Sequence, residues 1–330
     1  MSSSKTVILL ATYNGETYLK EQIDSLLNQT VDATIIARDD GSSDSSLEIL
    51  RSYQEIIVVN DLDFDYQSPD KNSYFAPYIR NFSILCEFAL TIENAEYFYF
   101  CDQDDVWLPN KVERLNSEID NLSKNGKIPV LVHSDLKVVN EKLDVFSSSF
   151  VKMECLPEPN QHKFPMALHQ NVATGCASAF NRSLLSYMTP IDPRAAVHDF
   201  WLYVGAKTLG VSKFVAEPLV LYRQHGKNSI GSTAKEREKG LLSLYFYKNL
   251  LAFPKNFAQT IKQAQAVVDV CEKKTEYTNS QYSMLVDFAE LTKQNFTKRS
   301  VNKVFPRKLA FLEKVYLKIV LLIIPRFEKK

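Results

Sequence analysis

The sequence predicts an α/β protein built on a doubly wound, mostly parallel sheet with an all-helical appendage at its C-terminal end. Three observations carry this prediction. Short aliphatic runs alternate with helix-period segments over the first sixty residues, Asp-rich polar clusters follow the strands, and after about residue 232 only helical periodicity remains.

Residues 6–11 are a continuous aliphatic run of buried-strand type that ends in turn-forming Tyr13, Asn14 and Gly15. Over residues 18–28, Leu19, Ile23, Leu26 and Leu27 fall at helical spacing. Residues 33–37 form the next strand, 47–53 a helix and 56–60 a third strand, an order that requires right-handed crossovers. Further along, a helix over 80–91 precedes a strand over 97–101, which runs into Asp102, Gln103, Asp104 and Asp105. A helix over 110–121 and a strand over 130–133 follow, and the polar stretch 140–165 reads as an irregular loop. Residues 174–180 and 214–222 are later strands flanking a helix that begins near Asp199. Helices over 240–252, 257–273 and 281–293 complete the pattern. The domain boundary is expected near residue 232, dividing 1–232 from a helical region 233–330.

With 45% hydrophobic and 24% charged residues among 330, the chain can bury a sizeable core. Net charge is zero, yet residues 296–330 carry ten Lys/Arg against two acids. Those cations share their segment with aliphatic residues, which points to an anionic membrane surface and away from nucleic acid. Five cysteines without a CxxC pair are expected to be reduced core thiols. Residues 1–5 are polar and lead straight into a strand, and no apolar run reaches spanning length, so a cytoplasmic enzyme is expected.

Ligands of open α/β sheets sit outside the carboxyl ends of the strands. Three such ends carry polar clusters here: Thr12-Tyr13-Asn14, Asp39-Asp40-Gly41-Ser42 and Asp102-Gln103-Asp104-Asp105. Neither GxGxxG nor a Walker lysine loop is present, which excludes a dinucleotide fingerprint and a P-loop. Carboxylates hold phosphates only through a cation, and Asp102-x-Asp104 after an apolar strand supplies the hard oxygen ligands that Mg²⁺ or Mn²⁺ prefers.

Ala11-Thr12-Tyr13-Asn14-Gly15, the segment from Arg38 to Asp44 and the segment from Phe100 to Trp107 together resemble, in order and spacing, the three signature segments of family 2 glycosyltransferases with a GT-A fold. The likeness runs from Thr6 to about Gly231. The run from Asp102 to Pro109 and that from Leu221 to Asn228 are similar to the bacterial rhamnosyltransferases of rhamnan and capsular polysaccharides.

The resemblance implies roles. Thr12, Tyr13 and Asn14 line the base pocket, and Asp40, helped by Asp39, accepts from the pyrimidine N–H. Asp102 and Gln103 face the donor, Asp102 and Asp104 hold Mg²⁺ or Mn²⁺, and Arg80 reaches the diphosphate. Residues 171–177, with Gly175, floor the donor sugar. Asp199 is the general base, with His198 standing where relatives commonly carry a first acid. Arg223 closes over the diphosphate and His225 joins the metal. His133 and His169 belong to the acceptor side, and His162 to a loop.

The implied activity is inverting transfer of a sugar, L-rhamnose from dTDP-L-rhamnose, onto a lipid-linked oligosaccharide. The same chemistry with a UDP-hexose, and a non-catalytic nucleotide-sugar sensor, stay open. In the tail, Lys303, Arg307, Lys314 and Lys318 make one basic stripe, with Phe311, Leu312, Val315, Ile319, Leu322 and Ile323 on the other sides. That pattern suits an interfacial helix and a peripheral place on the inner face of the cell membrane.

Overall fold

The computed structural model describes residues 4–60, 77–226, 242–274 and 279–291. A nine-stranded sheet orders its strands β3 (Ile56–Val58), β2 (Thr34–Asp39), β1 (Thr6–Thr12), β4 (Tyr97–Cys101), β8 (Ser178–Asn181), β6 (Val130–Val139), β9 (Val211–Arg223) and β5 (Val106–Trp107), with β7 (Val145–Ser147) paired to β6. The β3-β2-β1-β4 half and the β6–β9 pair are parallel. Strand β8 runs antiparallel between β4 and β6, and β5 antiparallel beside β9.

The strands are apolar throughout because both faces are covered. Val7, Leu9, Phe98, Phe100 and Phe180 point into one core, against α3 (Pro77–Leu90), α6 (Phe164–Ala167), α7 (Arg182–Met188) and α8 (His198–Leu209). Ile8, Leu10, Tyr99, Cys101 and Val132 point the other way, against α1 (Leu19–Leu27), α2 (Ser46–Ser52) and α4 (Lys111–Ser123). The parallel course of β1, β2 and β4 carries their polar carboxyl ends to one edge of the sheet.

Several elements differ from the expectation. The stretch 140–165 is folded: β7, α5 (Phe150–Met153) and a 3₁₀ turn at Pro159–Gln161 lie within it. Buried Asp135 organises it, accepting from Phe150 N (3.0 Å), Val151 N (3.2 Å) and Ser149 Oγ (2.5 Å). The strand expected over 174–180 starts as a 3₁₀ turn at Gly175–Ala177 and becomes strand only at Ser178.

The two helices expected over 240–252 and 257–273 are one 33-residue helix, α9 (Leu242–Lys274), which contains Pro254. An internal proline costs a helix about 3 kcal/mol. Burial of Phe257, Ala258, Ile261, Ala264, Val267 and Cys271 in the core shared with α8 offsets that cost. With α10 (Ser280–Ala289), which adds Leu285 and Phe288, α9 packs on the catalytic-type core, and Arg194 bridges to Asp269 at 2.7 Å. The boundary expected near 232 and the tail from 292 lie outside the described residues. Of the five thiols, Cys86, Cys101, Cys176 and Cys271 are buried and Cys155 is exposed.

Gly210 makes the turn from α8 into β9. Its N–H donates to Ala206 O at 2.9 Å, and Val211 N donates to Pro129 O at 2.9 Å. A Cβ at this position would collide with that Pro129 carbonyl oxygen, a backbone atom that has no rotamer to yield. Gly210→Ala is therefore expected to lower stability by about 2–3 kcal/mol in urea or thermal unfolding.

Candidate active site

The sheet edge brings together the ends of β1, β2, β4 and β9, the 3₁₀ turn at Gly175–Ala177, and the first turns of α3 and α8. The end of β1 is stapled to that of β2. Asn14, at φ 49°, donates its N–H to Ser42 Oγ (2.8 Å) and accepts from Ser43 N (2.8 Å). Asp39 accepts from Gly41 N (3.1 Å), Ser42 N (2.8 Å), Ser42 Oγ (2.5 Å) and Thr12 Oγ1 (3.2 Å).

Two residues expected in the base pocket are tied into this junction. Thr12 is buried, with its hydroxyl turned to Asp39 and Arg38 O, and Asp39 spends both oxygens on its own turn. Tyr13, 58% exposed, remains a free aromatic face, and Asp40 remains the available carboxylate. Asp40 Oδ1 accepts from Arg38 Nη1 at 2.8 Å, while Arg80 on α3 stands 4.0 Å away with its side chain 42% exposed.

Gln103 and Arg223 are also held by neighbouring segments. Gln103 pairs with the backbone of Tyr13 as a neighbouring strand would, accepting from its N–H at 2.8 Å and donating to its carbonyl at 3.0 Å. Gly15 lets it lie there, since a Cβ would strike the Gln103 amide. Arg223 is buried among the loops that surround it. Its guanidinium donates to Asp104 O (2.8 Å), Glu141 O (2.6 Å) and the Glu21 carboxylate, and lies 4.5 Å from the Tyr18 ring centroid. Its backbone N–H donates to Asp105 Oδ1 at 3.0 Å. Both residues bind loop to loop.

The acidic loop itself has two sides. Asp104 Oδ2 meets His225 Nε2 at 2.8 Å, a direct side-chain pair. Asp102, Asp105 and Cys176 bring one donor atom each to within 4.8 Å of one another. Burial pushes the Cys176 thiol well above its ordinary range, so it keeps its proton, and a hard cation prefers oxygen. Desolvation also pushes the Asp102 carboxyl well up, and Asp105, Asp104 and Asp199 add to the effect. So many carboxylates in one field suit a hard dication such as Mg²⁺ or Mn²⁺.

Lys111, overlooked in the sequence, lies beneath this loop. It is fully buried, donates to Cys176 O at 2.5 Å and sits 3.0 Å over the Trp107 ring. Burial lowers its ammonium to about 7, and the nearby acids oppose that fall. One signal was present: a lysine as first residue of a helix opposes the macrodipole and needs another reason to be there. Arg38 and Asn81 were missed too. They tie β2 to α3: Arg38 Nη1 donates to Asn81 Oδ1 (3.1 Å), and Asn81 Nδ2 donates to Arg38 O (3.2 Å) and reaches Thr12 O of β1 at 3.4 Å; a cation inside a strand signals such a partner.

Asp199 lies in the first turn of α8, whose N-cap is Val197, and its carboxylate accepts from the first-turn N–H groups of Asp199 and Phe200. Its Oδ1 accepts from Asn171 Nδ2 at 3.0 Å and its Oδ2 from Gly175 N at 2.9 Å. Burial raises its carboxyl to about 7, although those N–H groups and the backbone of Phe200 pull it down. A Cβ on Gly175 would stand 2.8 Å from His198 Nε2 and 3.5 Å from Asp199 Oδ2. His198 stacks on Phe82 (4.0 Å between centroids), and burial lowers its imidazole to about 3, so the ring is neutral.

The other histidines pack against aromatic rings, His162 in the loop after the 3₁₀ turn Pro159–Gln161. His133 and His162 are buried around Tyr203, with His162 Nδ1 2.8 Å from the phenol oxygen, and His169 lies 6.1 Å from Phe257.

A mixed α/β sheet with an Asp-rich strand end and a raised carboxyl at the same edge marks a candidate active site. The sequence profile described as glycosyl transferase family 2 matches residues 7–187, more than half of the chain, and the protein belongs to that family. The dTDP-rhamnosyl transferase RfbG of Shigella flexneri is 29% identical over 254 residues, covering 72% of this chain and 81% of the relative. An uncharacterized glycosyltransferase of Nostoc sp. is 28% identical over 248 residues, 71% of this chain and 70% of its own. Among solved structures, residues 1–349 of S. aureus TarS in complex with UDP-GlcNAc superpose with a TM-score of 0.52 at 14% identity, covering 98% of this chain and 88% of that one. The fold is GT-A.

Proposed function

We propose that this glycosyltransferase is an inverting enzyme that moves L-rhamnose from dTDP-L-rhamnose to a lipid-linked glycan, with Asp199 as general base. One observation carries the reading: a carboxyl raised to about 7 and held by two N–H donors lies in the field of the Asp102–Asp105 loop. An acid poised near neutrality can take a hydroxyl proton at little cost. The name of the Shigella relative supports the donor.

In this reading Tyr13 stacks on the base, Asp40 accepts from its ring N–H and Arg80 pairs with the diphosphate. Gly175 keeps the floor beside Asp199 free of a side chain. Asp102, Asp104 and His225 hold Mg²⁺ or Mn²⁺, which supplies charge neutralisation at the departing diphosphate. A donor screen tests the proposal. Transfer from dTDP-L-rhamnose above all UDP-hexoses is the expected result, and a preferred UDP-hexose would replace the donor assignment. Nucleotide binding without turnover of any donor–acceptor pair would replace the enzyme by a sensor.

No helix among the described residues is long and apolar enough to cross a membrane. The basic tail, outside those residues, supports peripheral attachment to an anionic inner leaflet. Reversing Lys303, Arg307, Lys314 and Lys318 to Glu is expected to release the protein from anionic liposomes in a salt-sensitive manner, at roughly 1 kcal/mol per cation. Equal sedimentation of wild type and the reversed variant with liposomes would remove the membrane assignment.

A further inference from the structure

The geometry points to Asn171 as a positioning residue that clamps the Asp199 carboxylate for proton abstraction from the acceptor, an inference that rests on the base role proposed for Asp199. Asn171 precedes the 3₁₀ turn and folds back on its own backbone. Its Oδ1 accepts from Ala173 N at 3.0 Å, and its Nδ2 donates to Ala173 O at 2.9 Å and to Asp199 Oδ1 at 3.0 Å. Only this orientation of the amide satisfies all three partners, since a carboxylate accepts and an N–H donates. The side chain is therefore held at both ends before it meets Asp199.

The other carboxylate oxygen takes Gly175 N at 2.9 Å, and the backbone N–H groups of Asp199 and Phe200 add to these donors. Glycine suits position 175 because a Cβ there would stand 2.8 Å from His198 Nε2. Residues 171–175 thus form a two-donor cradle around a single carboxylate. A leucine at 171 would fill the same space and donate nothing, and an aspartate would set a second negative charge against the first.

The titratable groups facing Asp199 are Asp102 at the end of β4, Tyr78 on α3 and His198 on α8. Asp102 and Asp199 raise each other's proton affinity through their charges, burial keeps His198 neutral, and burial with the Asp199 charge raises the Tyr78 phenol. Neither ring supplies a positive charge near neutrality. The stabilisation of the Asp199 anion therefore falls to N–H donors, of which the Asn171 amide is the side-chain contribution.

The sign of the effect follows. A hydrogen bond to the charged form lowers a carboxyl pKa, so losing it raises that pKa. The acid limb of the kcat profile should move to higher pH in Asn171→Ala by about half to one unit, and further in Asn171→Asp. Well above the limb, turnover should recover toward wild type, and donor affinity should change less than about twofold because the amide touches the base. Asn171→Ser, which keeps a short hydroxyl partner for Ala173 N, covers the case in which the alanine variant does not fold. Asp199→Asn is measured in parallel. An inactive Asp199→Asn together with an unmoved acid limb in the Asn171 variants overturns the clamp alone. Wild-type turnover in Asp199→Asn overturns the base role and the clamp with it.

Discussion

Asp199→Asn is expected to keep donor binding and to lose about 10²–10⁴-fold in turnover, the contribution of a positioned general base. The structure makes this exchange more informative than helix capping alone would suggest. Asn171 Nδ2 and Gly175 N both donate to this carboxylate, and an amide offers one acceptor in place of two. One donor then faces an NH₂ group, a loss of about 1–3 kcal/mol that the removal of a buried charge partly offsets. The melting temperature should fall modestly while nucleotide-sugar binding, followed by calorimetry, stays near wild type. Transfer at the wild-type rate would send the search for the base to Asp105 or His198. In wild type, the same carboxyl sets the pH dependence. Raised to about 7 by burial, it is protonated and idle below that value, so activity should climb through neutrality as pH rises.

Chelation is the second large effect. With Asp102, Asp104 and His225 as ligands, EDTA should abolish transfer, and Mg²⁺ or Mn²⁺ should restore it. Asp104→Asn should weaken metal-dependent nucleotide binding by about 10- to 100-fold or more. Its fold should survive, because Arg223 holds the Asp104 carbonyl at 2.8 Å and not its carboxylate. Mn²⁺ titration of the protein with nucleoside diphosphate reads this without turnover. Full activity in EDTA would leave Asp104 and His225 as a hydrogen-bonded pair and nothing more.

The GT-A core was legible because period-2 burial and strand-end polarity are local signals. Val7 and Leu9 on one face and Ile8 and Leu10 on the other follow from the strand pattern alone, as does the turn at Asp102. The stretch 140–165 was not legible, since its order comes from Asp135, a residue outside it. Pro254 misled for a related reason: its local helix-breaking cost is met by burial against distant helices.

The sequence by itself determined the fold class, the family likeness and the Asp-rich strand ends, all properties of residue type and spacing along the chain. Only the tertiary structure decided which polar residues at those ends bond to one another. Thr12, Asp39, Gln103 and Arg223 have the chemistry of donor-binding groups, yet each spends its hydrogen bonds on a neighbouring loop. Lys111 and Asn171 gained their places in the same way, through partners 65 and 28 residues away. The reason is physical: a polar side chain leaving water must find a partner, and which partner lies within 3 Å is settled by packing, not by position in the chain.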